Sequence, residues 1–399
     1  MSQKIIGPDL RVLHSFQDLP IGATITGIGA ATVPTGTWRF YRPQLREAVP
    51  PCQSACPAGV DVSGFISLVR KKRYTEAYQC YVMENPFPGL CGRLCDHPCE
   101  SECFRKRYDE ALAIQDLELF LSSRGYSPTR IPITESASKN IAVVGSRLEE
   151  LSSVYFLTRL GHTVSLFAGK KGLHAIFENL VTTHGLPKEG PWKTEIEGIV
   201  ETDSSISVET DPPPENLDQF DMVIWGLKEK PLSPPHDSFL LLKHESTVAR
   251  AIGKGKETAI AVDLTLKDQD TETGCLSAAL GPQGFPSFSR YLTLIAEGKS
   301  TEPEPVLFED LNLNSFDRQP RTGGKGISDA VKEARRCFEC GKCTLCGQCV
   351  AYCPDQAVGP EKGQKRVIFD YDYCKGCGIC GYECPRGAIG FIKEEAAWQ

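Results

Sequence analysis

The chain has 399 residues, 41% of them hydrophobic, which is ample for two or three packed domains. A formal net charge of −7 offers no electrostatic footprint for nucleic acid or for an anionic membrane. Eighteen cysteines, spaced as metal ligands in a long chain with no expected signal peptide, argue against a disulfide framework and point to a reducing cytoplasm.

Residues 1–50 read as an extended arm, because Gly, Pro and Thr recur without helical or alternating periodicity as far as Thr35-Gly-Thr-Trp-Arg-Phe-Tyr-Arg-Pro43. Its most apolar stretch, Ile21 to Val33, is short, rich in Gly, Thr and Ala, and preceded by Asp18, so no membrane span is expected. The aromatic and basic residues that follow suit packing on this protein or on a partner subunit, with ligand binding as the alternative.

Residues 51–125 predict a helical domain between two cysteine loops: Cys52 and Cys56 in PPCQSACP, then Cys91, Cys95, Cys99 and Cys103 in CGRLCDHPCESEC. Val62, Phe65, Ile66 and Val69 recur at helical spacing after Asp61 or Ser63 as a cap. A second helix is expected over Thr75 to Val82. A third, Glu110 to Ser122, carries Ile114, Leu117 and Leu121 on one stripe. Glu118 lies close to that face, where a solvated carboxylate is the default reading.

Gly125 to Lys139 reads as a linker. Residues 139–266 then open with a strand at Asn140 to Gly145, a helix at Leu148 to Leu160 and a strand at Thr163 to Ala168, the start of a dinucleotide-binding α/β fold. Its fingerprint is broken. Arg147 and Glu150 stand where glycines would admit a pyrophosphate, and Ala168 stands where an acidic residue would take the ribose hydroxyls. Glu149 and Glu150 also bring negative charge to the helix N-terminus that would otherwise attract phosphate. One further strand is expected at Phe220 to Gly226, in a span interrupted by Asp211-Pro-Pro-Pro and Pro231-Leu-Ser-Pro-Pro235, and STVARAIGKGKETAIAVDLTL, Ser246 to Leu266, resembles the closing helix of a flavin domain, which implies one doubly wound layer.

Residues 267–336 form a connecting segment with one expected helix, Phe288 to Ala296, and an isolated Cys275. Residues 337–399 carry the run C-x2-C-x2-C-x3-C-P twice, as Cys343, Cys346, Cys349, Cys353 and as Cys374, Cys377, Cys380, Cys384. Three closely spaced thiolates wrap one face of a 4Fe-4S cube, and the fourth cysteine ligates the other cube. One set is therefore Cys343, Cys346, Cys349 and Cys384, the other Cys374, Cys377, Cys380 and Cys353. Zinc also takes paired C-x2-C motifs, but it gives no reason for three equal spacings followed by Cys-Pro, twice.

The motifs PPCQSACPAGVDVSGFI, ENPFPGLCGRLCDHPCESEC and IQDLELF resemble the N-terminal iron-sulfur domain of the glutamate synthase small subunit family. The resemblance implies a cluster held by Cys56, Cys95, Cys99 and Glu118, and a second that uses Cys52 and Cys103. The family's preceding C-x2-C pair is absent, since residues 40–51 hold no cysteine. Cys337 and Cys340, in EARRCFECG, resemble that missing pair placed directly before the ferredoxin unit. The alternative is that these two are packed or surface thiols. Cys80, Cys91 and Cys275 are left as packed thiols. The family binds FAD in the fold that starts at Asn140 and inserts a complete NADPH domain, which the short span from Gly169 to Thr247 leaves no room for.

The expected fold class is thus α+β multidomain: an N-terminal α-helical Fe-S domain, a degenerate Rossmann-like α/β remnant that has lost FAD, and a C-terminal ferredoxin-like domain with two 4Fe-4S clusters. The expected role is electron transfer through four 4Fe-4S clusters between a catalytic oxidoreductase subunit and a flavin-containing or ferredoxin acceptor. TGTWRFYRP resembles an element of 2-oxoacid:ferredoxin oxidoreductases, which suggests a thiamine-dependent partner; an aldehyde oxidoreductase or a benzoyl-CoA reductase-type partner stays open. The alternatives are a flavin/NAD(P)H-dependent oxidoreductase subunit with an atypical FAD site and a subunit whose clusters are structural.

Overall fold

A computed structural model describes residues 34–46, 48–124, 138–211, 213, 217–227, 239–267, 285–295, 326–361 and 366–394. Residues 1–33 of the expected arm, most of the linker, most of the proline-rich interruptions and Cys275 lie outside the described residues.

After a short turn, Gly36–Trp38, the arm forms strand β1 (Tyr41–Leu45). The helical unit follows as α1 (Pro51–Ser54), α2 (Val62–Arg70), α3 (Tyr74–Val82), α4 (Pro88–Leu94), α5 (Pro98–Ser101) and α6 (Ile114–Ser122). Asp61 is the cap that starts α2, accepting from Gly64 N at 2.9 Å. The face it aligns, Val62, Phe65, Ile66 and Val69, is buried. Proline opens α1, α4 and α5, where its missing N–H costs nothing and its fixed φ suits the first helical turn. The third expected helix begins later than its sequence suggests, at Ile114.

The α/β unit comprises β2 (Asn140–Val144), α7 (Leu148–Arg159), β3 (Thr163–Phe167), α8 (Leu173–His184), α9 (Pro191–Thr202), β4 (Ile206–Glu209), β5 (Met222–Trp225), β6 (Phe239–Leu241) and α10 (Val248–Leu266). The strands form one parallel sheet in the order β4-β3-β2-β5-β6. Alternation along the strands sends Ile141, Val143, Val164, Leu166 and Ile224 into the main core, which also takes the apolar residues of all four helices. The opposite face, Ala142, Val144, Phe167, Val223 and Trp225, makes a small separate cluster with Leu217 and Phe220. Among the described residues, helices cover one face of the sheet.

The main core does not stop at the sheet. Tyr155 on α7 donates to Val82 O at 3.0 Å, and Gly253 on α10 lies so close to Pro57 O that a Cβ would stand 2.4 Å from it. Lys256 is fully buried and its ammonium binds Glu84 and Ala58 O of the helical unit. One apolar interior thus holds the helical unit and the sheet together.

Helix α11 (Phe288–Ile295) packs on α10, and α12 (Ile327–Arg335) on α2 and α6. The C-terminal unit then runs α13 (Gln348–Ala351), β7 (Val358–Pro360), β8 (Val367–Phe369), α14 (Ile379–Tyr382) and β9 (Ile389–Lys393). It is an internal repeat: Gly347 and Gly378 precede α13 and α14 with φ of +78° and +84°, a conformation that favours glycine. Strand β1 pairs antiparallel with β9, Tyr41 opposite Lys393 and Leu45 opposite Ile389. Of the readings open for the arm, residues 34–46 pack on their own protein.

Candidate metal centres

In the C-terminal unit, two enclosed cavities each have four cysteines in their walls. Cys343, Cys346 and Cys349 share the first with Cys384, closed by Leu45, Val367 and Ile389. Cys374, Cys377 and Cys380 share the second with Cys353, closed by Pro43, Val358 and Ile379. The fourth cysteine of each run thus lies across the repeat. The arrangement is matched in detail: Ala388 N donates to Cys384 Sγ and Ala357 N to Cys353 Sγ, both at 3.3 Å. Burial pushes the Cys349 and Cys380 thiols up to about 12, and neighbouring cysteines add to the rise. Thiols that resist ionising together suit a positively charged centre, which reverses that balance. Among the described residues no three His, Cys, Asp or Glu side chains converge on a point for a single metal ion. A soft sulfur set around a cavity fits a cluster better than zinc.

In the helical unit, Cys56, Cys95 and Cys99 come from three separate turns and meet Glu118 of α6. Burial raises all three thiols, and the Glu118 charge adds to it. Glu118 is 6% exposed and bonds His97 Nε2 at 3.0 Å, so it is not the solvated carboxylate its sequence position suggests. Cys91 stands beside the same group. It is buried, accepts from Asn85 Nδ2 at 3.1 Å, and is pushed up by burial, then by Glu118 and Cys95. Its nearness to Glu118 was not legible in the sequence. Cys80 lies apart, raised by burial with Asp61 and Glu84 nearby.

Between these groups the chain closes over a long separation. Burial pushes Cys52 well up, with Cys337, Cys340 and Cys103 its next influences, so cysteines far apart in sequence lie near one another. Buried polar groups hold the two segments together. Arg105 Nη1 donates to Arg336 O at 2.9 Å, Arg336 Nη2 to Glu110 O at 2.6 Å, and Ala113 N to Glu333 Oε1 at 2.8 Å. Arg70 pairs with Glu339 at 2.8 Å. Cysteines of different groups also feel one another: Cys52 raises Cys99, Cys384 raises Cys340, and Cys380 raises Cys349.

The sheet's topological switch point lies between β2 and β5, where folds of this order admit ligands at the strands' carboxyl ends. Glu150 fills it. The side chain is fully buried and accepts from Arg147 N at 2.8 Å. A Cβ on Gly145 or Gly226 would stand 2.7 or 1.7 Å from it. Burial, then the charge of Glu149, pushes its carboxyl up to about 8. Glu149 is occupied too, accepting from Glu245 N at 2.7 Å.

Comparison with known proteins agrees with these sites. Residues 45–128 match the family described as dihydropyrimidine dehydrogenase domain II, 4Fe-4S cluster, and residues 342–388 match the 4Fe-4S dicluster domain. The chain is an iron-sulfur protein with two 4Fe-4S domains. Its relatives are glutamate synthase small subunit-like oxidoreductases, some of them subunits of electron-transfer complexes. It is 30% identical over 145 residues to the putative oxidoreductase YgfK of Escherichia coli K12, covering 35% of this chain and 14% of that protein. It is 29% identical over 148 residues to the NADPH-Fe(3+) oxidoreductase subunit beta of Geobacter sulfurreducens strain DL-1 / KN400, covering 36% and 21%. It is 32% identical over 122 residues to the glutamate synthase [NADPH] small chain of Mycobacterium tuberculosis strain CDC 1551 / Oshkosh, covering 30% and 25%. The matches thus span a quarter or less of those relatives' own lengths. Among the described residues no helix is long and apolar enough to cross a membrane.

Proposed function

We propose that the chain is the electron-transfer subunit of a multisubunit oxidoreductase, relaying electrons through four 4Fe-4S clusters between a catalytic partner and a redox acceptor in the cytoplasm. The ligand sets are Cys56, Cys95, Cys99, Glu118; Cys52, Cys103, Cys337, Cys340; Cys343, Cys346, Cys349, Cys384; and Cys374, Cys377, Cys380, Cys353. Each cluster, when bound, supplies a one-electron couple. The observation that supports the reading is that Cys52, Cys103, Cys337 and Cys340 lie within one another's electrostatic influence, on segments joined by the Arg105 and Arg336 hydrogen bonds; on this reading two incomplete pairs become one set of four and the groups are consecutive. The helical unit, residues 51–125, and the ferredoxin unit, residues 337–399, then share a cluster, whose binding energy adds to the folding of both. Residues 139–266 serve as a scaffold that has lost FAD. Supporting that part are the Glu150 side chain in the switch-point crevice and the lack of glycine at Arg147. A 2-oxoacid or aldehyde oxidoreductase is the catalytic partner this reading favours.

The test is an iron count with a matched variant. Anaerobically purified protein is expected to carry about sixteen irons, as four cubes require. Cys337→Ser with Cys340→Ser should lose about four of them. Full iron content in that double variant would rule out the shared site, and flavin near one per chain on acid release would rule out the scaffold reading.

A further inference from the structure

Arg386 belongs to none of the ligand sets, yet it lies against two of them. It follows Cys384-Pro385 and is 2% exposed, an unusual position for a guanidinium. Its side chain lines the cavity of Cys343, Cys346, Cys349 and Cys384. Its Nη1 donates to the carbonyl oxygens of Phe338 and, at 3.3 Å, Glu339, the two residues between Cys337 and Cys340. The loop is fastened back in turn, since Gly341 N donates to Arg386 O at 2.6 Å. One buried cation is thereby fixed between the shared site and the first ferredoxin site.

We propose that Arg386 is a potential-setting residue: its fixed positive charge holds up the midpoint potentials of the two clusters on either side and so eases electron passage between them. The proposal rests on the ligand sets assigned above. Reduction adds one negative charge to a cluster, and in a poorly polarisable interior a nearby positive charge stabilises the reduced state more than the oxidised one. Arg386 lines the cavity of the first ferredoxin site and bonds the carbonyl oxygens between Cys337 and Cys340, so its field reaches both sites. Glu339 opposes it. The Glu339 carboxylate, 2% exposed, lies 3.9 Å from Arg386 and 2.8 Å from Arg70, so the three together carry one positive charge. The other charges in the seam beside the shared site balance, buried Arg105 and Arg336 against half-buried Asp109 and buried Glu333.

Redox titration followed by electron paramagnetic resonance on the full-length, cluster-loaded protein tests this, with the shared-cluster signal identified by its loss in the Cys337/Cys340 serine variant. Arg386→Met should move both adjacent midpoints negative and leave the Cys374-containing and Glu118-containing clusters in place. A tenfold fall in the reduced-to-oxidised ratio at fixed ambient potential corresponds to about 59 mV for a one-electron couple. Arg386→Lys, which keeps the charge, should restore most of the shift. Glu339→Gln removes the opposing charge and should move the shared cluster positive, a change of sign that a merely structural role would not produce. Unchanged midpoints in Arg386→Met at full iron content overturn the proposal. If that variant loses iron, Glu339→Gln decides, and no positive shift overturns it. Wild-type protein with only about twelve irons would instead sink the shared cluster, leaving the effect of Arg386 readable at the Cys343-containing cluster.

Discussion

Arg105 donates its Nη1 hydrogen to the main-chain oxygen of Arg336, across 231 residues of sequence, with both side chains buried. Asp109 accepts from both guanidinium groups, so the contact is a charge network in the seam between the helical unit and the ferredoxin unit.

Removing Arg105 would leave the Asp109 carboxylate and the Arg336 carbonyl short of a buried donor. Arg105→Leu is expected to destabilise the protein by about 3 kcal/mol, the scale for breaking a buried pair by deleting one partner. The loss should appear as a lower thermal midpoint of the cluster-loaded protein and as faster proteolysis before α12. A midpoint unchanged within error would mean that the seam is held elsewhere.

The arm makes a second seam. Arg39 donates to Tyr371 O at 2.6 Å and Cys374 O at 3.0 Å and sits 5.1 Å from the Tyr371 ring centre. Gly376 is so close to Tyr41 O that a Cβ would approach to 2.4 Å. Arg39→Ala is therefore expected to loosen the Cys374–Cys380 loop and speed the bleaching of visible absorbance in air several-fold, while anaerobic iron content stays whole. Equal bleaching rates would show that the arm does not guard that site.

Glu150 gives a pH dependence whose sign can be worked out. Its folded carboxyl is pushed from 4.5 up to about 8, so the native state keeps its proton after the unfolded chain has lost it. Stability then falls as pH rises from about 4.5 to about 8 and levels off above that, because unfolding releases a proton throughout the window. Glu150→Gln keeps the shape without the acid. Its stability should exceed the wild-type value by a margin that widens across this window, reaching at most roughly 5 kcal/mol, and its thermal midpoint should rise in step. Parallel pH profiles for the two proteins would remove Glu150 as the source.

What could be read in advance follows from how local each feature is. The ferredoxin cysteines were legible because C-x2-C-x2-C is itself the geometry of one loop, α2 and α7 because each carries an apolar pattern of its own, and α10 through its resemblance to a closing helix. The short strands β4 and β6 were missed: four and three residues leave no room for a period to establish itself. Helices α8 and α9 were missed as well, yet Ile176, Phe177, Trp192 and Ile196 seat both in the core. The environment of Glu118 could not be inferred from α6 alone. His97, reached through a left-handed turn at φ +49°, and Tyr81 of α3 turn that face of the helix into an interior.

That interior makes Glu118 and Cys91 rivals, and a pair of variants separates them. Both side chains are buried beside Cys95, and either offers a fourth donor to Cys56, Cys95 and Cys99. The hydrogen bonds favour Glu118: Asn85 already donates to the Cys91 sulfur, while His97 orients the carboxylate from the outer side. Glu118→Ala is expected to cost about four irons of about sixteen, and Cys91→Ser none. Glu118→Gln, which retains an oxygen donor but not the charge, should keep the iron and move that cluster's midpoint positive, because one negative charge at the site is gone. The reverse outcome, with iron lost from Cys91→Ser and retained in Glu118→Ala, would transfer the fourth position to Cys91 and leave Glu118 as its buried neighbour.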